Sequence, residues 1–319
     1  MKINGKRKSS PTKKPTPDKV NGDQPYVDFK FVYPEVKPTF QNASRPMGFY
    51  LIVVVNSGAK GDEHRRRRAR IRETWANRNT CEHSNAMNNP NLKDKMWTLV
   101  FVLGKAGGED DKKNIEEAKA HNDILIGDII DNYWNNMVKL YMGQLWASLL
   151  GTRYTLKTDD DVYVRIPNVI NYLVSQGSPP RFYGGGTYHS SPVFRLGKWK
   201  VSEEDVPEKI WPPFNPGAFI LFSADLLDIL MSYIYIRKPV HTDDAYIGVA
   251  MRDFKVKVVH ILSFVVEHHM ATLIRTKDNC YMLNVLAYGH SVDIEAMDHC
   301  HKRLEELCHS NTTLKTLKC

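Results

Sequence analysis

Three consecutive aspartates, Asp159, Asp160 and Asp161, are the residues whose types and spacing most clearly allow chemistry. They follow the apolar segment Tyr154 to Lys157 and precede Val162-Tyr163-Val164. Adjacent carboxylates repel one another and destabilise a fold unless a cation or hydrogen bonds offset the repulsion. A hard divalent cation, Mn²⁺ or Mg²⁺, suits oxygen ligands and would also hold a diphosphate. A helix N-cap is the alternative, but one aspartate would satisfy it, so the cluster favours a metal site.

A second acidic pair, Asp243-Asp244, lies in the segment from His241 to Gly248. Taken alone, this pair is typical of a helix N-terminus, with Thr242 or Asp243 as the cap and the carboxylates favoured by the helix dipole. Transfer of a group to a hydroxyl, however, requires a general base, and a carboxylate can serve as one.

A basic run covers Arg65 to Arg68 and continues with Arg70 and Arg72. A nucleic-acid patch or a targeting signal is only weakly indicated, because the run merges into the helical segment Ile71 to Trp75. Arginines near the end of a first strand could instead contact phosphates of a donor. A solvated helix face remains the alternative for most of them.

The elements that must position these residues alternate between strands and helices. Strands are predicted at Tyr50 to Val55, Trp97 to Leu103, Asp123 to Ile126, Tyr154 to Lys157 and Gly217 to Phe222; helices are predicted at about Glu63 to Ala76, Glu109 to His121, Trp134 to Leu149 and Ala224 to Tyr235. Such alternation predicts an α/β fold with a mainly parallel sheet and helices on both faces. Ligands of these sheets bind outside the carboxyl ends of the strands, where the triple aspartate lies.

The charge of the chain is concentrated in its first 46 residues. Of the total of +8, residues 1–46 carry ten Lys or Arg against four Asp or Glu, a net of +6, which leaves +2 for the remainder. A nucleic-acid-binding protein needs a basic face on its folded part, so we expect no nucleic-acid partner. The same 46 residues hold seven of the 17 prolines, and we predict a disordered stem or linker over 1–46. A catalytic domain is predicted over 47–275 and a cysteine-bearing helical extension over 276–319.

Cysteines and targeting signals bear on the cellular compartment. The five cysteines include four in the last 40 residues, without the paired spacing of a zinc site, and their disulfide pairing cannot be read from the sequence. Sequons start at Asn42 and Asn311. No signal peptide or membrane span is visible, and oxidised and reduced compartments both remain open, with a lean to the first.

Six blocks in order resemble the β-1,3-galactosyltransferase family, which includes β-1,3-N-acetylglucosaminyltransferases. The similarity covers about residues 48 to 270. The matching blocks are Leu51–Asn56 with Arg67 to Trp75, Phe101 to Gly104, Asp123 to Asp128 with Asp131, Tyr133, Asn135 and Lys139, Lys157 to Val162, Trp211 to Phe214 with Gly217, and Asp243 to Gly248.

The resemblance implies a GT-A fold with a nucleotide-binding, Rossmann-like mixed sheet flanked by helices. It further implies transfer of galactose from UDP-galactose to a sugar hydroxyl of a glycoprotein or glycolipid glycan, in β-1,3 linkage, with inversion and Mn²⁺. The roles that follow are Asp159 and Asp161 at the metal; Asp160 at the ribose or the water shell of the metal; Arg68, Arg72 and Lys139 at the donor; Trp211 and Phe214 at the acceptor; and Asp244 as general base.

Two alternatives remain open beside this function. The same machinery could use UDP-N-acetylglucosamine, or the chain could be a non-catalytic chaperone or sugar-binding relative. The family's Cys after the aromatic-proline block is Asn215 here, so a usual disulfide is not expected. The resemblance also implies the Golgi lumen and a type II membrane anchor, which is not visible in this chain.

Overall fold

A mixed eight-stranded sheet lies at the centre of the computed structural model, which describes residues 24–34 and 48–319. Its strand order is β1-β4-β3-β2-β5-β10-β7-β11. The strands are β1 Phe31–Tyr33, β2 Phe49–Asn56, β3 Trp97–Lys105, β4 Ile124–Ile130, β5 Thr152–Asp159, β6 Tyr163–Val164, β7 Tyr183–Gly185, β8 Ser191–Pro192, β9 Ile210–Trp211, β10 Phe219–Ser223, β11 Val258–His260, β12 Phe264–Val266 and β13 Ala287–Gly289.

Helices cover the sheet. They are α1 Asp62–Glu73, α2 Cys81–Asn88, α3 Gly108–His121, α4 Asn136–Leu150, α5 Ile166–Ser175, α6 Leu227–Tyr233, α7 Asp243–Asp253, α8 Met270–Thr276, α9 Asn279–Asn284, α10 Ile294–His309 and α11 Leu314–Leu317, with 3₁₀ turns at Tyr133–Asn135 and Ala224–Leu226. The α/β class with a Rossmann-like mixed sheet flanked by helices is therefore confirmed.

The strands at the centre of the sheet are buried on both faces. Seven of the eight residues of β2 are buried, and this strand lies between β3 and β5 in parallel register. Continuous runs of β-branched and other apolar residues favour such positions, because helices exclude water from both faces of a parallel sheet. The rigid strands place Asn56 and Asp159, in register with each other, at one edge of the sheet.

Two strands depart from the mainly parallel arrangement that the alternation predicts, namely the edge strand β1, which is antiparallel to β4, and the interior strand β10. β10 runs antiparallel to both β5 and β7, and Phe219 at its start lies opposite Thr158 at the end of β5. The loop before β10 is therefore at the same edge of the sheet as the triple aspartate. Apolar patterning does not distinguish strand directions, so this reversal could not be predicted from periodicity.

A second, three-stranded sheet joins the C-terminal region to the residues that follow the aspartates. Its order is β12-β13-β6, and Tyr288 of β13 pairs with Tyr163 of β6. Residues of α10, among them Met297 and Cys300, are buried in the same core cluster as β2 and β5. The predicted extension over 276–319 is helical in large part, but it packs into the same hydrophobic core as the central strands.

Two disulfides tie the chain together. Cys81 in α2 is bonded to Cys308 in α10, and Cys280 is bonded to Cys319, whereas Cys300 is a buried free thiol. Within the described residues, no helix combines the length and apolar character needed to cross a bilayer.

Part of the predicted disordered stem is ordered. Residues 31–33 form β1, which adds an antiparallel edge strand to β4, and Val27 is buried against the core. The prediction is wrong for residues 24–34, because this short segment carries enough apolar side chains to pack and its backbone completes the ladder of an edge strand. The rest of the range 1–46 lies outside the described residues.

Candidate active site

The triple aspartate lies where β5 ends, as predicted. Asp159 is the last residue of the strand, and Asp161 precedes the short strand β6. The Asp159 side chain is 28% exposed and accepts a hydrogen bond of 2.9 Å from the Lys157 ammonium. Asp160, between them, is buried. The strand end thus directs neighbouring carboxylates into different surroundings.

Asp159, Asp161 and His290 can offer ligand atoms to one metal ion. One ligand atom from each residue lies within 4.8 Å of the others, and all three residues are partly buried. His290 reaches this place because it follows β13, which pairs with β6. The amide of Ser291, the residue after His290, donates a hydrogen bond of 3.0 Å to the Asp161 carboxylate and holds the two segments together.

The electrostatics of this group favour a cation. Burial and the nearby charge of Asp159 together raise the pKa of Asp161, although the Ser291 amide and His290 act in the opposite direction. Two carboxylates and an imidazole that face one another form a donor set that a divalent cation would neutralise. The residues therefore fit the predicted Mn²⁺, which His290 would bind in addition to the two aspartates.

Asp160 faces inward to a polar network. It accepts hydrogen bonds from Ser57 at 2.6 Å and His64 at 2.8 Å, and its other oxygen lies 3.3 Å from the Arg67 guanidinium. Burial alone would raise the pKa of Asp160, but His64, Ser57 and Arg67 outweigh it and lower the pKa. The carboxylate is held ionised and anchors the loop after β2 to the end of β5; its contact with a ribose stays a prediction.

The predicted donor residues Arg68 and Arg72 have protein partners. The fully buried Arg68 donates to Glu117 at 2.6 Å and to Ser57 at 2.9 Å. Arg72 pairs with Asp123 at 2.7 Å and with Glu117 at 2.8 Å. Because both guanidinium groups are hydrogen-bonded to protein carboxylates, they support the structure by bracing α1 against α3 and β4. Direct contact of Arg68 or Arg72 with a donor stays a prediction.

Lys139 and Asn56 lie closer than Arg68 and Arg72 to the edge of the sheet where the triple aspartate lies. The buried Lys139 ammonium donates to the backbone carbonyl of Ser57 at 3.1 Å and lies 3.4 Å from Asp131. Asn56, in register with Asp159, is buried, and neither polar atom of its side chain has a hydrogen-bond partner among the described residues. A buried amide without partners is costly, so a polar ligand at this edge would stabilise it.

The second acidic pair lies beside the first cluster. Asp243 and Asp244 are the first two residues of α7, and the buried Lys157 connects them to Asp159. The Lys157 ammonium lies 3.8 Å from the Asp243 carboxylate and donates to the Gly217 carbonyl at 2.5 Å, while the Gly217 amide donates to Asp244 at 3.1 Å. The backbone of Gly217 thus connects Lys157 to Asp244, the predicted base.

Asp244 has the electrostatic character of a base near neutral pH. Burial and the adjacent Asp243 raise its pKa to about 7, although the amides of Ala245 and Gly217 and the charge of Lys157 lower it. Burial likewise raises the pKa of Asp243, against the effect of Lys157. A carboxylate with a pKa near the working pH combines a populated basic form with a useful proton affinity.

Trp211 and Phe214, predicted to stack on an acceptor, are core residues. They are only 5% and 6% exposed and pack with Val193, Val201 and Val249 in one cluster. A side chain buried to this degree has little surface for a sugar ring. Both residues therefore have a packing role in the structure.

The order of these elements and their side chains agrees with one protein family. The profile of the family described as Galactosyltransferase matches residues 66–262, more than half of the chain. The chain belongs to the galactosyltransferase family. The match runs from α1 to the loop after β11 and so includes the triple aspartate, Lys157 and Asp244, whereas His290 lies beyond it.

Curated relatives carry the same family name. The chain is 28% identical over 209 residues to beta-1,3-galactosyltransferase 1 of Mus musculus, a match to 64% of this chain and 60% of the relative. It is 32% identical over 208 residues to beta-1,3-galactosyltransferase brn of Drosophila melanogaster, covering 62% of this chain and 59% of that protein. The chain thus spans about three fifths of the length of these relatives.

Solved structures show weaker likeness. A mannosyltransferase from Pyrobaculum calidifontis in complex with GDP-Man and Mn²⁺ is similar with a TM-score of 0.38 and 16% identity, covering 80% of this chain and 64% of that chain. Mouse xyloside xylosyltransferase 1 gives a TM-score of 0.35 and 12% identity, with 70% of this chain and 91% of that chain covered. Similarity at this level carries no inference about the present site.

Two side chains of the site were not assigned roles from the sequence. Lys157 was part of a matching block, and a lysine two residues before three aspartates is a signal that could have been used. His290 is a lone histidine far along the chain, and no spacing rule connects it to the aspartates. Only the pairing of β13 with β6 reveals it.

Proposed function

We propose that this chain is a hexosyltransferase that moves galactose from UDP-galactose to a sugar hydroxyl of a glycan, in β-1,3 linkage and with inversion. The observation that carries the proposal is the two-part site, in which Lys157 joins Asp159 to the pair Asp243 and Asp244. Family membership and the names of the relatives support the sugar and the linkage.

The donor half contains Asp159, Asp161 and His290, which would hold Mn²⁺. When bound, this ion supplies positive charge to the diphosphate of a leaving UDP. Asp160 keeps the loop after β2 in place through Ser57. The amide of Asn56, which has no hydrogen-bond partner within residues 24–34 and 48–319, would offer a polar contact to the nucleotide.

The acceptor half contains Asp244. Its carboxylate takes the proton of the attacking hydroxyl as the new bond to the anomeric carbon forms and the bond from that carbon to the UDP oxygen breaks. A single displacement of this kind inverts the anomeric carbon and requires only one base. The amides of Gly217 and Ala245 hold the Asp244 carboxylate in place, with hydrogen bonds of 3.1 and 2.8 Å.

A lumenal, oxidising compartment is part of the proposal. Disulfides persist in secretory compartments and are rare in reducing ones, so the bonds Cys81–Cys308 and Cys280–Cys319 support a lumenal site such as the Golgi. The family resemblance adds a type II membrane association. The catalytic domain predicted over 47–275 is proposed to be completed by the C-terminal segment, which packs into its core and would supply His290.

The test is a transfer assay with purified protein, radiolabelled UDP-galactose and UDP-N-acetylglucosamine in parallel, and Mn²⁺. We expect transfer from UDP-galactose that stops with EDTA and returns with Mn²⁺. Asp244→Asn should lower kcat by about 10²- to 10⁴-fold, the range of a positioned base. Asp228→Asn, a change of the same type at an exposed position of α6, is the matched control.

Three results would count against this function. If only UDP-N-acetylglucosamine supports transfer, the proposed donor is wrong. If transfer continues in EDTA, the proposed requirement for a metal is wrong. Absence of both transfer and donor hydrolysis in protein that still binds saccharides would favour a non-catalytic sugar-binding relative.

A further inference from the structure

A cluster of aromatic side chains lies beside the second acidic pair and has no part in the mechanism above. It is called the aromatic shelf here and consists of the rings of Tyr133, Trp134, Trp199 and His241 together with the Lys198 ammonium that lies over two of them. Trp134 is 56% exposed and Trp199 is 45% exposed. Large apolar rings at the surface, next to polar groups, are typical of ligand-binding surfaces.

The members of the shelf come from three separate segments and contact one another. The rings of Trp134 and His241 lie 4.3 Å apart, and those of Tyr133 and His241 lie 5.8 Å apart, measured between centroids. The Lys198 ammonium lies 4.8 Å from the centre of the Tyr133 ring and 5.8 Å from that of Trp199. Such mutual contacts fix the rings, so little entropy remains to be lost when a ligand binds.

The shelf adjoins the proposed base. His241 is two residues before Asp243, in the segment that leads into α7. The Tyr133 hydroxyl lies close enough to Asp243 and Asp244 to interact with their charges. Burial, and after it these two carboxylates, raise the pKa of Tyr133 to about 12. A ligand on the shelf would therefore lie close to the carboxylate that receives the proton.

The chemistry of the shelf suits a pyranose. One face of a sugar ring presents C–H groups that pack on an aromatic face, while its hydroxyls need hydrogen-bonding partners at the rim. Lys198 offers an ammonium donor, and burial lowers the pKa of His241, so its ring is neutral at pH 7. The buried Trp211 and Phe214 lack the exposed surface that this packing requires.

We propose that the aromatic shelf is the acceptor subsite, where Trp134 and Trp199 pack against a pyranose ring of the acceptor glycan. This inference rests on the proposed function and names the surface that holds its second substrate. It replaces Trp211 and Phe214 as the acceptor-contacting aromatic residues. The acceptor hydroxyl would then face Asp244 from the side of the shelf.

The kinetic test uses Trp134→Ala and Trp199→Ala with a panel of methyl β-glycosides of galactose, N-acetylglucosamine and mannose as acceptors. We expect the acceptor KM to rise about tenfold or more, while the KM for UDP-galactose changes by less than about twofold. Trp134→Phe, which keeps an aromatic face, should recover most of the loss. Tyr235→Ala, at another aromatic residue that is 40% exposed, is the control.

A binding test separates this inference from the proposed function. Saturation-transfer NMR with the same glycosides and no donor measures acceptor binding even if the protein transfers nothing. Loss of the signal in both tryptophan variants, with the Tyr235→Ala signal kept, supports the shelf. Equal signals in wild type and variants, or no signal in wild type, would overturn it, whereas failure of UDP-galactose transfer alone would count only against the proposed function.

Discussion

Replacing Lys157 by methionine tests whether one buried cation holds the two halves of the site together. The ammonium lies 2.9 Å from Asp159 and 3.8 Å from Asp243, and it donates to the Gly217 carbonyl. Burial alone would lower the pKa of Lys157, but the surrounding aspartates outweigh this effect and raise it. Methionine has similar length and no charge, so Lys157→Met removes these interactions without a large cavity.

The magnitude follows from the distances. At an effective dielectric constant of about 20, two charges separated by 3.8 Å interact by about 4 kcal/mol. Breaking a buried pair by removing one partner typically costs about 3–5 kcal/mol, and we expect the free energy of unfolding to fall by that amount. Because Lys157 lowers the pKa of Asp244, which is about 7, the variant should also titrate at higher pH. The acidic limb of kcat/KM should move upward by about one pH unit or more.

Urea unfolding and the pH dependence of kcat/KM measure the two effects separately. Arg165→Met is the matched control, because Arg165 is a buried cation paired with Glu82 at 2.5 Å and has no contact with Asp244. It should lose stability but keep the wild-type pH profile. Lys157→Arg keeps the charge and should move the profile less than methionine does. If Lys157→Met keeps the wild-type pH profile, or is as stable as wild type in urea, the reasoning about Lys157 is refuted.

Four further outcomes are expected. Trp211→Leu should cost about 2–4 kcal/mol of stability in urea unfolding and leave the acceptor KM unchanged, since the ring fills a core position. His290→Ala should weaken Mn²⁺ binding at least about tenfold in calorimetric titration, with the fold unchanged by circular dichroism. Replacing Cys81 and Cys308 by serine should lower stability by about 3–5 kcal/mol, because the bond closes a loop of 227 residues. In wild type, the raised pKa of Asp244 contributes to the free energy of unfolding. This contribution is complete below about pH 4 and is lost as the pH rises through about 7. Asp244→Asn should therefore flatten the dependence of the unfolding free energy on pH in that window.

The central part of the fold could be predicted because local patterns specify it. The apolar run of β2 and the helical period of α4 each depend on neighbours within a few turns, and both elements were located within a few residues. The same is true of the acidic cluster, whose place at a strand end follows from the apolar residues before it. Register among long, buried strands then brings Asp159 and Asn56 to the same edge.

The parts that could not be predicted depend on contacts distant in the chain. β6 and β13 have two and three residues, too few to show a period, and their pairing alone places His290 beside Asp161. The burial of individual aromatic residues could not be predicted either. Composition does not show that Trp211 packs in the core while Trp134 lies at the surface, because this depends on the loops that cover each ring.

The reversed strand β10 explains why the site can have two halves. A strand parallel to β5 at this position would begin at the opposite edge of the sheet, and its preceding loop would lie far from Asp159. Because β10 is antiparallel, Phe219 starts beside Thr158 and Gly217 lies next to Lys157. A Cβ atom at Gly217 would come within 3.1 Å of the Lys157 ammonium, so glycine is suited to this approach. The backbone of Gly217 can then accept from Lys157 and donate to Asp244, and the direction of one strand thereby couples the proposed donor-side carboxylates to the proposed base.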